Sequence, residues 1–294
     1  MKRLHAIVVL GLALLVACTK EQIPPGLILK DPIVIIDTTV KADTTYLLSS
    51  IPAQQVKRVL FEEATGVLCA NCPDGAKILR DLRSLYPDRI ISASVYSKFL
   101  NDFQPPALYD FNSQYAQDLV VFLGGDPSKP SSAIDRLPTG TSYPYFFSKA
   151  LWASKMDEIK DKKTPVNIDL SVASTGTENE YLVSSKVTYT ETSTDNLAIS
   201  LYLLEDGVVD FQDSSSVEVH DYEHNHILRK IITPTSGSVF LSSLSTKEAG
   251  RVFEKYNKFV LPSTVLNKAN CHVICFVHKT GSSREVLHVV ETHL

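Results

Sequence analysis

The chain turns on one stretch: Val59-Leu60-Phe61-Glu62-Glu63-Ala64-Thr65-Gly66-Val67-Leu68-Cys69-Ala70-Asn71-Cys72-Pro73-Asp74. Residues 56–63 are rich in Val, Leu and Phe and run into Thr65-Gly66, a turn signal, which predicts a buried strand. Beyond Cys72, the apolar residues Ala76, Leu79, Leu82 and Leu85 recur at helical spacing. Pro73 suits a first helical turn, where its missing N–H is no loss, and Asp74 suits the positive end of the helix dipole. Pro87-Asp88 stops the helix, and residues 90–96 (IISASVY) read as a second strand. Strand, Cys-x-x-Cys at a helix N-terminus, helix and strand make a βαβ unit with a dithiol at its first turn.

That spacing has a chemical reason. Residues i and i+3 of a helical turn bring their Cα atoms within the roughly 4.4–6.8 Å that a disulfide needs. The N–H groups and dipole of a helix N-terminus stabilise a thiolate on the first Cys, which makes Cys69 the better nucleophile. In that role Cys69 is expected to be the more exposed sulfur, with Cys72 behind it. A redox-capable dithiol and a permanently oxidised clip both remain open. Zinc is disfavoured, because no second Cys-x-x-Cys or Cys-x-x-His accompanies the pair.

N-terminal to this unit lies a targeting segment. Lys2 and Arg3 precede twelve apolar residues at 6–17 (AIVVLGLALLVA). That length fits a signal-peptide h-region, whereas a spanning helix needs about twenty. The segment ends in Leu15-Val16-Ala17-Cys18, the pattern of a bacterial lipoprotein signal in which Cys18 becomes the acylated first residue. Residues 1–17 are therefore expected to be removed, and several acyl chains on Cys18 to make a stable membrane anchor. Residues 18–50, with Pro24-Pro25-Gly26 and a Thr-rich run, read as a tether. Within them, residues 33–36 (IVII) are apolar enough to dock as an edge strand. Export makes disulfides admissible. Overall composition is that of a globular protein: 294 residues, 44 % hydrophobic and 21 % charged, which excludes collagen, coiled coil and wholesale disorder. A formal charge of −4 with scattered Lys and Arg argues against a nucleic-acid partner.

C-terminal to the βαβ unit, residues 111–123 are expected to form an inserted helix and residues 146–161 a closing one. Lys162-Lys163-Thr164-Pro165 marks a domain boundary, after which the hydrophobic period shortens to two. Residues 166–172, 181–189, 197–204, 227–232, 272–278 and 286–290 read as six strands, and 252–260 as a seventh, which suggests an immunoglobulin-like sandwich. Cys271 and Cys275 lie on one such strand. Four residues of strand span about 13 Å, too far for a bridge, so both read as buried free thiols. His220, His224 and His226 would project from one face if their segment were a strand and could chelate a metal, with Glu218 as a further ligand. If the segment is a loop, a structural or partner-contact role is the better reading. No metal is therefore assigned, and these three remain weak candidates.

Two resemblances follow from these residues. The dithiol unit resembles the thioredoxin-like superfamily. Cys69 and Cys72 stand where its nucleophilic and resolving cysteines stand, and Glu63, six residues before Cys69, stands where many members keep a buried acidic proton acceptor. Lys129-Pro130-Ser131-Ser132-Ala133-Ile134-Asp135-Arg136 looks like the segment in which a cis-Pro precedes a strand facing the dithiol, which makes Pro130 the candidate and Pro127 a poorer one. Two features depart from that pattern: no Trp precedes Cys69, and Pro73 follows the cysteines instead of lying between them. A narrower resemblance spans nearly the whole mature chain. The lipoprotein signal, residues 59–66, Cys69-Ala70-Asn71-Cys72-Pro73 and His224-Asn225-His226-Ile227-Leu228-Arg229 together are similar to the twenty-eight-kilodalton outer membrane protein family of Bacteroidetes surface lipoproteins. That likeness implies an α/β thioredoxin-like domain at 51–163, carrying a helical insertion, followed by an all-β sandwich at 164–294.

Two functions are consistent with these residues. One is an outer membrane lipoprotein exchanging thiols and disulfides with envelope protein clients through Cys69, Cys72, Glu63 and Pro130. The other is a non-catalytic surface binding or assembly lipoprotein whose Cys-x-x-Cys is structural. Neither calls for a cofactor, and both place the chain at the outer membrane, on its periplasmic face or at the cell surface. The anchor is directly testable: Cys18→Ser should move the protein from the membrane fraction to the soluble fraction on cell fractionation, while its circular dichroism spectrum stays unchanged.

Overall fold

A computed structural model describes residues 40–102, 105–215 and 217–294. The signal peptide at 1–17, the lipidation site Cys18 and the apolar run at 33–36 lie outside the described residues. In chain order the strands and helices are β1 (Thr44–Leu47), β2 (Val59–Ala64), α1 (Cys72–Leu85), β3 (Ile90–Val95), α2 (Gln114–Phe122), β4 (Ser131–Ile134), β5 (Phe146–Ser148), α3 (Trp152–Ile159), β6 (Val166–Ser174), β7 (Glu180–Tyr189), β8 (Leu197–Glu205), β9 (Val208–Ser214), β10 (Val217–His224), β11 (Ile227–Ile231), β12 (Ser238–Phe240), β13 (Arg251–Val260), β14 (Cys271–Lys279) and β15 (Val286–His293). The protein is mostly β-structure in several sheets.

The largest sheet has nine strands in the order β15-β14-β8-β11-β3-β2-β4-β5, with β12 paired to β8 off that path. β2 and β3 run parallel, as a βαβ connection through α1 requires. α1 buries Leu79 and Leu82 on one face of this sheet, against Phe61, Ile90 and Trp152. α2 buries Ala116, Leu119 and Val120 on the opposite face, against Leu60, Ile91 and Ala93. Strands β8 and β14 are buried along almost their whole length because both their faces are covered. Tyr202, Leu204, Ile274 and Phe276 join the core under α2. Leu201, Leu203, Cys271, Val273 and Cys275 face a second, four-stranded sheet of order β1-β13-β7-β6. Cys271 and Cys275 are buried and free, filling space in that second core.

The expected boundary near residue 163 falls in the turn between α3 and β6, and the nine-stranded sheet contains strands from both sides of it. The join is narrow. β11 pairs with β3 through Ile227 and Ser94, reinforced by Ser94 N–H donating to the His226 carbonyl at 2.7 Å.

Several elements differ from their sequence reading. The helix expected over 146–161 begins only at Trp152, because Phe146–Ser148 pairs with β4 and a 3₁₀ turn follows. Trp152, fully buried, donates its indole N–H to the Phe147 carbonyl at 3.0 Å and so locks that turn. The inserted helix is shorter than 111–123, since Ser113 caps it by accepting from Ala116 N–H. Part of the tether is ordered: β1 pairs with β13. The histidine segment, which the sequence leaves open between strand and loop, is a strand up to His224: β9 and β10 form a two-stranded antiparallel hairpin.

Just after β4, Asp135 and Arg136 both adopt left-handed backbone, φ 45° and 51°. This kink aims their side chains at two different partners. Asp135 pairs with Lys57 at 2.7 Å and accepts Leu60 N–H at 2.9 Å. Arg136 grips Glu62 on β2 with Nε and a terminal nitrogen at 2.8 and 2.7 Å, and donates to the Tyr202 hydroxyl of β8 at 2.8 Å. Its guanidinium lies 4.9 Å from the Phe276 ring centroid. Every member of this network is fully buried. Removing one partner strands a charge in the core, so Arg136→Met should destabilise the protein by about 3–5 kcal/mol. Restoring neutrality with Glu62→Leu in the same chain should recover part of that loss, and urea denaturation measures both.

Candidate functional site

Cys72 is the first residue of α1 and is bonded to Cys69, with Cα atoms 5.3 Å apart. The turn that presents them is set by backbone: Cys69 N–H donates to Gly66 O at 3.1 Å, and Cys72 N–H to Cys69 O at 3.0 Å. Pro73 occupies the helix start and Asp74 its first turn. The expectation of an exposed Cys69 is not met. Cys69 is 2 % exposed and Cys72 3 %, so both are buried. The hairpin β9–β10 accounts for this. Asp213 N–H donates to Val67 O at 2.8 Å and Ser215 N–H to Ala70 O at 2.9 Å. Gln212 Nε2 reaches Gly66 O and Cys69 O at 3.1 and 3.2 Å. β9 thus lies along the whole 66–70 loop.

Behind Cys72 is a cavity of about 170 Å³, lined among others by Glu63, Arg80, Arg83, Tyr96 and Tyr222. Glu63 stands on β2, and its Oε1 is buried without a hydrogen-bond partner. Burial pushes its carboxyl up to about 8, against a smaller opposing pull from the charges of Arg83 and Arg80. Below that pH Glu63 holds a proton beside Cys72. The Lys129–Pro130 peptide is cis, and Pro130 packs onto the first turn of α1. Gly75 permits the approach: a Cβ there would lie 3.0 Å from both Glu63 Oε1 and Pro130 Cβ. Glu63 and Pro130 therefore meet under the same turn of helix that carries Cys72.

The three histidines do not converge. His220 is exposed, with Nε2 3.5 Å from Glu218. His224 is buried; Nδ1 contacts the Tyr96 hydroxyl at 2.8 Å and Nε2 the Phe211 carbonyl at 3.1 Å. Burial lowers it to about 4, so it is a neutral core group holding the hairpin to β3. His226 turns the other way, towards Asp206 at 3.0 Å. A bulge between Val219 and Tyr222 breaks the even alternation that would have aligned them. Arg80, Arg83, Tyr96 and Tyr222 were not legible from the sequence as site residues. The two arginines sit one helical turn apart on α1, but only the tertiary fold shows that they border the Glu63 cavity.

Glu63 carries a pH signature. Its folded pKa of about 8 exceeds the usual 4.5, so between these values the unfolded chain is ionised while the folded one is protonated. Stability should be highest below about 4.5 with respect to this group and decline until about pH 8, by on the order of 5 kcal/mol. Glu63→Gln should flatten that decline. Denaturant midpoints at pH 5 and pH 8 test it, and parallel slopes in the two proteins would refute it.

Comparisons with known proteins add a family. The fold is similar to HBP35 of Porphyromonas gingivalis, with a TM-score of 0.61 at 16 % identity over 81 % of this chain and 75 % of that one. It is also similar to protein AGR_C_4864 from Agrobacterium tumefaciens, with a TM-score of 0.51 at 12 % identity over 82 % of this chain and 96 % of that one. A domain of the outer membrane lipoprotein Omp28 from Porphyromonas gingivalis aligns over 45 % of this chain and 88 % of its own, at 19 % identity and a TM-score of 0.32, too low to bear on the fold. No curated protein matches the sequence. The family model for outer membrane protein Omp28 matches residues 125–294, a span that includes Pro130 and His226 but not the disulfide. That span is more than half of the chain, and the chain accordingly belongs to the outer membrane protein Omp28 family.

Proposed function

We propose that the chain is a lipoprotein anchored at the outer membrane through Cys18, in which residues 51–163 act as a thioredoxin-like unit exchanging thiols and disulfides with envelope proteins. Residues 164–294 form the sandwich on which this unit is mounted. The observation that carries the reading is Glu63: a buried carboxyl, held protonated, in the cavity that Cys72 lines. A merely structural disulfide has no use for a buried, unpartnered acid, which lowers stability at neutral pH. In an exchange event a client thiolate attacks Cys69 Sγ and forms a mixed disulfide. The Cys69–Cys72 bond breaks, and its electron pair leaves on Cys72 Sγ. Glu63 gives that thiolate its proton and becomes the carboxylate, which Arg80 and Arg83 are placed to stabilise. A second client thiolate then resolves the mixed disulfide, releasing Cys69 as a thiolate and the client in oxidised form. Pro130, packed under the same helical turn, borders the face on which the mixed disulfide would form.

One observation favours the second reading, a surface binding or assembly lipoprotein with a structural bond. Both cysteines are buried, and β9 is hydrogen-bonded along the loop that contains Cys69. Trapping separates the two. Exchange is reversible, and Cys72→Ser leaves Cys69 free to attack a client disulfide with no Cys72 thiol to resolve the product. In the exchange reading that variant should therefore accumulate mixed disulfides with envelope proteins at least several-fold more than Cys69→Ser. Non-reducing electrophoresis of envelope fractions reads this out. Equal trapping by the two variants, or none by either, would leave the structural reading.

A further inference from the structure

At the end of the nine-stranded sheet nearest α1, three adjacent strands bring metal-ligating side chains to one point. Asp206 immediately follows β8, His226 immediately precedes β11, and His272 is the second residue of β14. β8 lies between the other two, so neighbouring strand ends deliver all three groups. One ligand atom from each lies within 4.8 Å of the others. His226 Nδ1 is 3.0 Å from one Asp206 oxygen, and His272 Nδ1 is 3.4 Å from the other. Around a tetrahedral zinc ion with bonds of about 2.0 Å, ligand atoms stand about 3.3 Å apart. Small side-chain rotations therefore suffice to close the site.

Two observations point to a ligand there. His272 is 2 % exposed, yet both of its ring nitrogens are buried without a hydrogen-bond partner, while Nδ1 of His226 has only the Asp206 carboxylate before it. Buried polar atoms are nearly always partnered, and His272, whose Nδ1 turns to Asp206 and whose Nε2 turns to Glu291 without a hydrogen bond to either, calls for an occupant. There is also a route in: a separate cavity of about 440 Å³ opens onto His226, Arg83 and Glu291. We propose that Asp206, His226 and His272 form a binding site for a first-row divalent metal ion of the zinc class, coordinated by two imidazole Nδ1 atoms and one carboxylate oxygen with a position left open to water.

The surroundings set the outer contacts. His272 Nε2 faces Glu291 at 3.9 Å, the carboxylate behind a ligating histidine that fixes its ring and raises its basicity. Asp206 is steadied by the backbone N–H of His226 at 2.6 Å. His293 packs beside His272 with ring centroids 5.6 Å apart. Arg83 opposes the ion, because it donates to His226 Nε2 and so places the ring proton on Nδ1. Binding displaces that proton, the ring carries its hydrogen on Nε2, and Arg83 gives up this contact while keeping Ser92. The site adjoins the cavity behind Cys72, which His226 and Arg83 also line, but metal binding does not depend on the exchange chemistry proposed for Cys69 and Cys72.

Zinc titration of the full-length, oxidised protein in detergent tests the site by calorimetry. About one equivalent should bind to the wild type. Affinity should fall at least tenfold in His272→Gln and in His226→Gln, while His220→Gln should bind as the wild type does. Because a buried His272 variant risks misfolding, the wild type also serves alone: zinc should perturb the ring resonances of His226 and His272 in NMR spectra and leave those of His220 unmoved. Absence of binding by the wild type, undiminished binding by a folded His226 or His272 variant, or perturbation of His220 instead, would overturn the proposal.

Discussion

The buried pairing of Glu62 with Arg136 is the constraint on which the rest of the architecture depends. Three strands far apart in sequence contribute to it: Glu62 from β2, Arg136 from just beyond β4, and Tyr202 from β8. Desolvating two charges is expensive, and a well-packed apolar set of similar volume can match or exceed a buried pair in stability. What the pair supplies is uniqueness. Among the described residues Glu62 pairs with Arg136 alone, and Arg136 meets it from a left-handed backbone that also sends Asp135 to Lys57. Lys57 in turn donates to the carbonyls of Val286 and Leu287 at 3.1 Å, which ties the strand leading into the dithiol to the last strand of the chain. Register errors on either side would leave an unpaired charge in the core.

A second buried pair repeats the principle on the other side of the sheet. Arg229 of β11 donates to Glu205 of β8 at 2.7 Å, and the remaining oxygen of Glu205 accepts two backbone N–H groups, from Leu266 and Asn267. The loop that precedes β14 is thereby hung from a strand end. This is the same strand end beside which Asp206 stands, so the geometry around Asp206, His226 and His272 rests on a buried ion pair and not on loop packing alone.

Legibility in the sequence followed the reach of each interaction. The βαβ unit around the dithiol was readable because its signals are local: a β-prone run, a turn, Pro73 at a helix start, and apolar residues at helical spacing. The strands β6, β7, β8, β13, β14 and β15 were readable from period and composition. The hairpin β9–β10 was not legible, although Val208-Val209-Asp210-Phe211-Gln212 and Val217-Glu218-Val219 alternate, because both segments are short and polar and Ser214-Ser215-Ser216 between them carries no hairpin turn signal. The cavity behind Cys72 and the meeting of Asp206, His226 and His272 could not be read at all. Each assembles residues separated by tens of positions along the chain, and only sheet order brings them together. The covering of Cys69 belongs to the same class, since it depends on Ser215 finding Ala70.

That covering changes what limits access to the sulfur. Among the described residues β10 pairs with β9 alone, so lifting the hairpin would leave the nine-stranded sheet paired. It would break the His224 contact with Tyr96 and the Asp210 bonds to Leu108 and Tyr109. An attacking thiol must wait for the Asp213, Ser215 and Gln212 bonds to open, and the population of the open form then scales the observed rate. When attack is slow compared with reclosing, the rate is proportional to thiol concentration. When attack is fast, it saturates at the opening rate and becomes indifferent to how acidic or abundant the thiol is. The gate, not the nucleophile, then keeps time.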